Sequence, residues 1–495
     1  MNYERKAKKV KSLISKHDAM DILDTSLRYL YDAGNDKESR LQRHPWLVLL
    51  VVKWAFITEN IKVIKPLTNN HYLAILNAMY DLADLVKMPT GYNNAHQFMR
   101  NMAYQQFIYQ YEFSILNIGR NSLLFKYLPE NHNLKLLFKE KHGLELKDFI
   151  SLSLTLVAFV YSGKKHTLEV TLFSPLFKHY SKNLVSAFLD SISIDIRELR
   201  NRLSKDDLSK GNYSEYYEQS PFIKYPLIKH GVKYTCVDPF ILYRCIEHFL
   251  YDTLKADEPQ KFMQSFGKIF ESYLIKGFKY ANLDYVEESE LKKNIPAKSK
   301  CIDYVIKQKD FNIFIDAKGV EMPYLGKVSD NPKIILDKVK SSAIKAIEQA
   351  SAFNNHIFLN DNKALPKFKM NSCLLVVTYK ELYLGSGQLL YDTVAKEKID
   401  SINKSINEEA RIDLKRIYFI TIESFDFMMS LVKNHKFDIG DILEKVIQDD
   451  REGVSQKFEF SQHIHSFVDQ ISPPKFLKIE TDKILAEFKQ NLSEA

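Results

Sequence analysis

Two aspartates and a lysine stand out in the stretch 301–319, CIDYVIKQKDFNIFIDAKG. Cys301–Lys307 and Phe311–Ala317 are rich in Ile, Val, Phe and Tyr and read as consecutive strands. With Lys309–Asp310 as a two-residue loop between them, Asp303 falls directly opposite Asp316, a placement that brings Cβ atoms to roughly 4.5–5.5 Å. Two carboxylates at that separation repel, so a purely structural core would not select them. A divalent cation between them removes the objection, because Mg²⁺ takes one or two carboxylates and retains several waters. Lys318 lies two residues past Asp316 and therefore on the same face of its strand. A cationic side chain there can orient an attacking water or stabilise charge developing on a phosphate.

The acidic-x-Lys tripeptide carries little information alone, since the chain holds seven, starting at Glu4, Glu145, Glu290, Asp316, Asp361, Asp413 and Glu487. Only the one at Asp316 ends a run of strand-forming residues and faces an aspartate on a preceding strand. This arrangement resembles the PD-(D/E)XK nuclease superfamily, which has the restriction-endonuclease-like fold. The resemblance implies that Asp303 and Asp316 bind metal, with the Ala317 carbonyl as a further ligand, and that Lys318 is the catalytic lysine. It also implies a role for Glu271, in GKIFESYLIKGF, as the acid that many members carry on the helix before the strands, and for Gln349, in AIEQASAF, on the helix after the lysine. Each of these two could equally be a solvated residue on a helix face. The chain departs from the family in having no proline before Asp303 and Asp rather than Glu as the second acid. The implied cofactor is Mg²⁺, with Mn²⁺ as its substitute. The implied activity is hydrolysis of phosphodiester bonds in nucleic acid, DNA favoured and RNA (tRNA included) the alternative. A non-catalytic nucleic-acid-binding subunit on the same fold is the rival reading.

The elements that must position these residues follow from periodicity. Lys261–Tyr280 reads as an amphipathic helix, Leu283–Val286 as a short strand, and Ile334–Phe353 as one long helix. Ser372–Tyr379 and Arg416–Ile422 are continuous apolar strands of the fully buried kind, with helices over Thr393–Glu408 and Phe425–Val432. The order predicts an α/β domain with a mixed sheet flanked by helices. The resemblance covers about residues 260–432. Residues 12–203 read as helical almost throughout, broken at Pro66, Pro89–Thr90–Gly91 and Pro129–Glu130–Asn131, with a long loop over 204–232 and a helix over Pro239–Leu254. The expected organisation is multi-domain: an all-α half, 1–255, serving recognition, sensing or regulation; the nuclease-like domain, 260–435; and a helical extension, 436–495.

The 495 residues carry 70 Lys+Arg against 62 Asp+Glu, and 45% are hydrophobic, which excludes a mainly disordered chain. Residues 1–250 hold 34 basic and 25 acidic side chains, and the remainder 36 and 37, so the excess positive charge lies in the N-terminal half. That asymmetry suits a grip on a polyanion or simple solubility. Lys292, Lys293, Lys298, Lys300 and Lys327 flank the motif and are candidates for phosphate contact, or ordinary solvated loop charges. The cysteines at 236, 245, 301 and 373 form no zinc-like cluster and suit a reducing cytoplasm. His463–Ile464–His465 reads as a surface feature rather than a metal site. The longest apolar runs, Trp46–Val52 and Phe149–Tyr161, are too short to span a membrane. The expectation is a cytoplasmic protein without a membrane partner. By analogy of architecture it belongs to prokaryotic restriction or antiphage defence, working as a homodimer or with a partner subunit and released by a phage-derived trigger.

Overall fold

The computed structural model describes residues 2–34, 36–58, 65–86, 92–110, 113–162, 166–207, 213–452, 456–469 and 471–493. The breaker cluster Pro89–Thr90–Gly91 lies outside them. The chain divides into two compact units, the first comprising 1–88, 101–259 and 480–495 and the second 89–100 and 260–479. This differs from three consecutive stretches. Residues 92–100 join the second unit, where the Arg100 guanidinium donates to the carbonyls of Gly326 and Ser329. The end of the chain joins the first, where Glu480 accepts from the Ser122 and Tyr127 hydroxyls.

The first unit is mainly helical. Its helix Pro45–Thr58 (PWLVLLVVKWAFIT) is apolar on every side and is buried against Tyr3–Ile14, Ala19–Tyr31 and Ile196–Asp206, as a helix without a polar face must be. The unit is not all-α, however. Strands β1 (Thr167–Glu169), β2 (Ser193–Asp195), β3 (Leu227–His230) and β4 (Lys233–Cys236) form a sheet in the order β1-β4-β3-β2. Only β2 and β3 are parallel. Gly231 turns β3 into β4 with φ +62°, a left-handed conformation open to glycine at little cost. These strands are three or four residues long, too short for an alternation to betray them, and the expected loop over 204–232 contains one of them.

The second unit holds a five-stranded mixed sheet: β5 (Tyr285–Glu287), β6 (Tyr304–Lys307), β7 (Asn312–Lys318), β8 (Cys373–Thr378) and β9 (Ile417–Thr421), in sequential order. The pairs β5/β6 and β6/β7 are antiparallel, while β7/β8 and β8/β9 are parallel. All six residues of β8 are buried, as its unbroken apolar sequence requires of a strand covered on both faces. One face is covered by the helix Pro259–Ala281, which buries Phe262, Phe266, Phe270, Leu274 and Phe278 at a strict four-residue spacing. Phe278 packs edge-on against Tyr304 of β6 and against Phe425 of the helix Ile422–Asn434. The helix Lys345–Leu359 covers the opposite face, through Phe353 against Phe314 of β7. The expected single helix over 334–353 is Pro332–Val339, a π-helical turn at Lys340–Ile344, and Lys345–Leu359. Among the described residues no helix is long and apolar enough to cross a membrane.

Candidate active site

The hairpin between β6 and β7 has the register that puts the two aspartates opposite each other: Tyr304 pairs with Ile315, Val305 with Phe314 and Ile306 with Ile313. Gln308 N–H donates to the Phe311 carbonyl at 3.1 Å and leaves Lys309–Asp310 as the turn. Asp303 sits one residue before β6 begins. Its Oδ2 accepts the Ala317 N–H at 2.7 Å, taking the main-chain donor that a longer β6 would have used. Because a strand residue turns its N–H and C=O to the same edge, the Ala317 carbonyl also faces the gap that β6 leaves. Glu288 N–H in turn holds the Asp303 carbonyl at 2.7 Å.

Asp316 is fully buried in the central strand, and among the described residues its Oδ1 has no hydrogen-bond partner. Its one close partner is the Lys318 ammonium, 2.5 Å from Oδ2. A buried carboxylate with one oxygen unpartnered is costly, since ionised groups away from water are ordinarily hydrogen-bonded as well as paired. Lys318 Nζ also lies 3.5 Å from Gln349 Oε1, and Gln349 Nε2 donates to the Cys301 carbonyl at 2.8 Å. Gln349 thus ties the lysine to the strand segment that carries Asp303.

Glu271 reaches the cluster from the Pro259–Ala281 helix, whose backbone accepts the Tyr304 hydroxyl at the Glu271 carbonyl, 3.1 Å away. Gly319 permits that approach: a Cβ there would lie 2.8 Å from a ring carbon of Phe266. Burial pushes the Glu271 carboxyl up, Glu288 and Asp316 add to the shift, and Lys318 opposes it. Asp303 is more strongly affected. Burial and the Asp316 carboxylate push it up to about 8 against the pull of Lys318 and the Ala317 N–H. The structure therefore brings Asp303, Asp316, Ala317, Lys318 and Gln349 together and sets Glu271 within their field.

The acids fit a hard divalent cation. Two neighbouring carboxylates and a main-chain carbonyl are oxygen donors, and the unpartnered Oδ1 of Asp316 is what such an ion would satisfy. Among the described residues no group of three or more His, Cys, Asp or Glu side chains is arranged to hold a metal ion.

The flanking lysines separate into kinds. Lys293 pairs with Glu290 at 2.6 Å and Lys327 with Glu321 at 3.6 Å, turned to local partners. Lys292, Lys298 and Lys300 line a pocket that also includes Gln349, the partner of Lys318. Lys345 lines it too; its spacing of four residues from Gln349, one turn apart on a helix face, is the signal that could have found it. His463 corrects the reading of 463–465 as a surface pair. It is buried, with Nε2 3.0 Å from Asp450 Oδ1 and Nδ1 3.7 Å from Asp449 Oδ2.

The raised Asp303 carboxyl has a consequence for stability. It holds its proton to about 8 when folded but releases it near 3.9 when unfolded, so between those values the folded protein binds more protons. In EDTA the second unit is fully stabilised in this respect below about pH 4 and loses stability as the pH rises toward about 8, by on the order of a few kcal/mol. Thermal melts followed by far-UV circular dichroism should show that slope and show it flattened in Asp303→Asn. An equal slope in both proteins would place the titration elsewhere.

No protein-family model, curated protein or solved structure matches this chain.

Proposed function

We propose that the chain is a metal-dependent nuclease of the PD-(D/E)XK type, hydrolysing phosphodiester bonds in nucleic acid, with DNA the favoured substrate. The observation that carries this reading is the buried Asp316 carboxylate, set opposite Asp303, with Oδ1 unpartnered and Oδ2 2.5 Å from the Lys318 ammonium. The strand order β5-β6-β7-β8-β9, with helices on both faces, supports it, as does the position of Glu271 on the preceding helix.

Asp303, Asp316 and the Ala317 carbonyl would hold Mg²⁺ or Mn²⁺. The bound ion would neutralise the scissile phosphate and lower the pKa of an attacking water. Lys318, fixed between Asp316 and Gln349, directs its ammonium at the place where charge develops on the phosphate. Gln349 is a positioning residue that holds Lys318 in register with Cys301. Glu271, its carboxyl raised by burial and by Glu288, keeps a proton beside the site at higher pH than an exposed glutamate does.

The test is incubation of purified protein with plasmid, linear DNA and total tRNA in Mg²⁺, Mn²⁺ or EDTA, beside Lys318→Ala. Metal-dependent cutting is expected on DNA, with the variant slower by about 10²–10³-fold. Cutting confined to tRNA would move the substrate to RNA and leave the site assignment standing. Undiminished cutting by Lys318→Ala would remove the lysine from the mechanism.

A further inference from the structure

Beside the acid pair lies an open pocket lined by Lys292, Lys298, Lys300 and Lys345, together with Ser299 and Gln349. Two of the lysines are neutralised: Lys292 by Glu288 and Lys300 by Glu348, each at 2.8 Å. Lys298 and Lys345 make no ion pair among the described residues, and both side chains are exposed. Four ammonium groups around one concavity, offset by two carboxylates, leave an excess of about two positive charges facing it. Nothing in the fold of the second unit requires that. Lys298 is moreover held with φ +70°, a backbone region that non-glycine residues rarely occupy, in a turn closed by Ser299 N–H donating to the Pro296 carbonyl at 3.0 Å.

The pocket's place decides what anion it fits. Gln349 is common to both sites: its Nε2 binds the Cys301 carbonyl, and its Oε1 faces the Lys318 ammonium. A phosphate held at Lys318 therefore has the pocket beside it. We propose that this pocket binds the internal phosphodiester adjacent to the scissile one and so fixes the cut strand in register over Asp303 and Asp316. The proposal rests on the nuclease reading of the acid pair.

The two readings are separable by measuring binding without cleavage. Fluorescence anisotropy in EDTA would compare wild type, Lys298→Ala/Lys345→Ala and, as a control of equal charge change, Lys307→Ala/Lys309→Ala on oligonucleotides with and without a 5′-phosphate. Both control lysines are exposed, at the turn end of the β6–β7 hairpin remote from Asp303. The pocket variant should bind both oligonucleotides about tenfold more weakly at 0.1 M salt, with a salt slope shallower by about 0.7–0.9 for each phosphate no longer neutralised, while the control changes much less. Equal weakening in both variants, unchanged binding in the pocket variant, or no binding by wild type would each overturn the proposal. Weakening seen only with the 5′-phosphorylated oligonucleotide would overturn it in favour of a strand-end reader. Wild-type cutting with unaltered pocket-variant binding would sink the pocket and spare the nuclease. Weakened pocket-variant binding, with no cutting by wild type in any metal, would overturn the nuclease reading and leave the pocket a nucleic-acid phosphate site with no scissile bond beside it.

Discussion

Asp316→Asn should lower metal-dependent cleavage by about 10³-fold or more while leaving the protein folded. The carboxylate is fully buried at the middle of the sheet, paired in register with Val376 of β8 on one side and opposite Asp303 on the other. The amide keeps the side chain's shape and so preserves packing, but it removes the charge that would hold a divalent ion. A second readout separates this from a general loss of structure. A ligand that binds only the folded state at ten times its Kd adds about 1.4 kcal/mol of stability, so Mg²⁺ should raise the melting temperature of wild type and not of the variant. Removing the Asp316 charge also takes away a principal cause of the raised Asp303 carboxyl, so the variant's pH slope in EDTA should shrink. Cleavage at the wild-type rate by a folded Asp316→Asn protein would show that the site lies elsewhere.

Lys53→Met should destabilise the first unit by about 3–5 kcal/mol, the cost of stranding buried charge. Lys53 interrupts an otherwise apolar helix, and its side chain is only 2% exposed. It lies 2.7 Å from Glu218, 3.0 Å from Asp207 and 3.8 Å from Glu215. Burial alone would depress its ammonium, but Glu218, Glu215 and Asp207 more than reverse that, and the group is held above its ordinary value. Glu215, itself buried, is also held by Trp54 Nε1 at 2.6 Å and by Lys11 at 3.1 Å. Methionine matches the volume and the apolar surroundings yet leaves these acids facing one another without their central cation. The chain's two tryptophans, Trp46 and Trp54, both lie on the Pro45–Thr58 helix, so tryptophan fluorescence reports this unit alone. A urea midpoint unchanged by the substitution would mean that solvent, rather than Lys53, neutralises the cluster.

Lys53 also shows where local pattern stops being informative. The apolar run Trp46–Val52 directly before it marks a buried helix, because hydrophobicity is a local property. The acids at 207, 215 and 218 that make a buried lysine tolerable are not marked by it, since those arrive from some 150 residues away. The same holds for His463. No acid stands next to it in the chain, yet the fold brings Asp449 and Asp450 to it.

The strands of the second unit and the pairing of β6 with β7 are legible in the residues alone. Strand-forming runs, a two-residue turn and the two-residue side-chain period are all written within twenty residues, so a single register satisfies them and puts Asp303 opposite Asp316. Equally legible is the four-residue stripe of the Pro259–Ala281 helix that brings Glu271 to the sheet. The small sheet β1-β4-β3-β2 emerges only in three dimensions, because its strands are too short to show a period. So does the membership of residues 92–100 in the second unit and of the last residues in the first. The π turn at Lys340–Ile344 is of the same kind, since a helix with one added residue has no local signature. That residue nevertheless rotates the remainder of the helix by about 100° and so sets where Lys345 and Gln349 face. Local patterns are set by steric and hydrophobic periods within a segment. Which distant segments meet is set by the packing of the whole, and it is there that Lys318 acquired Gln349 and the lysine pocket acquired its wall.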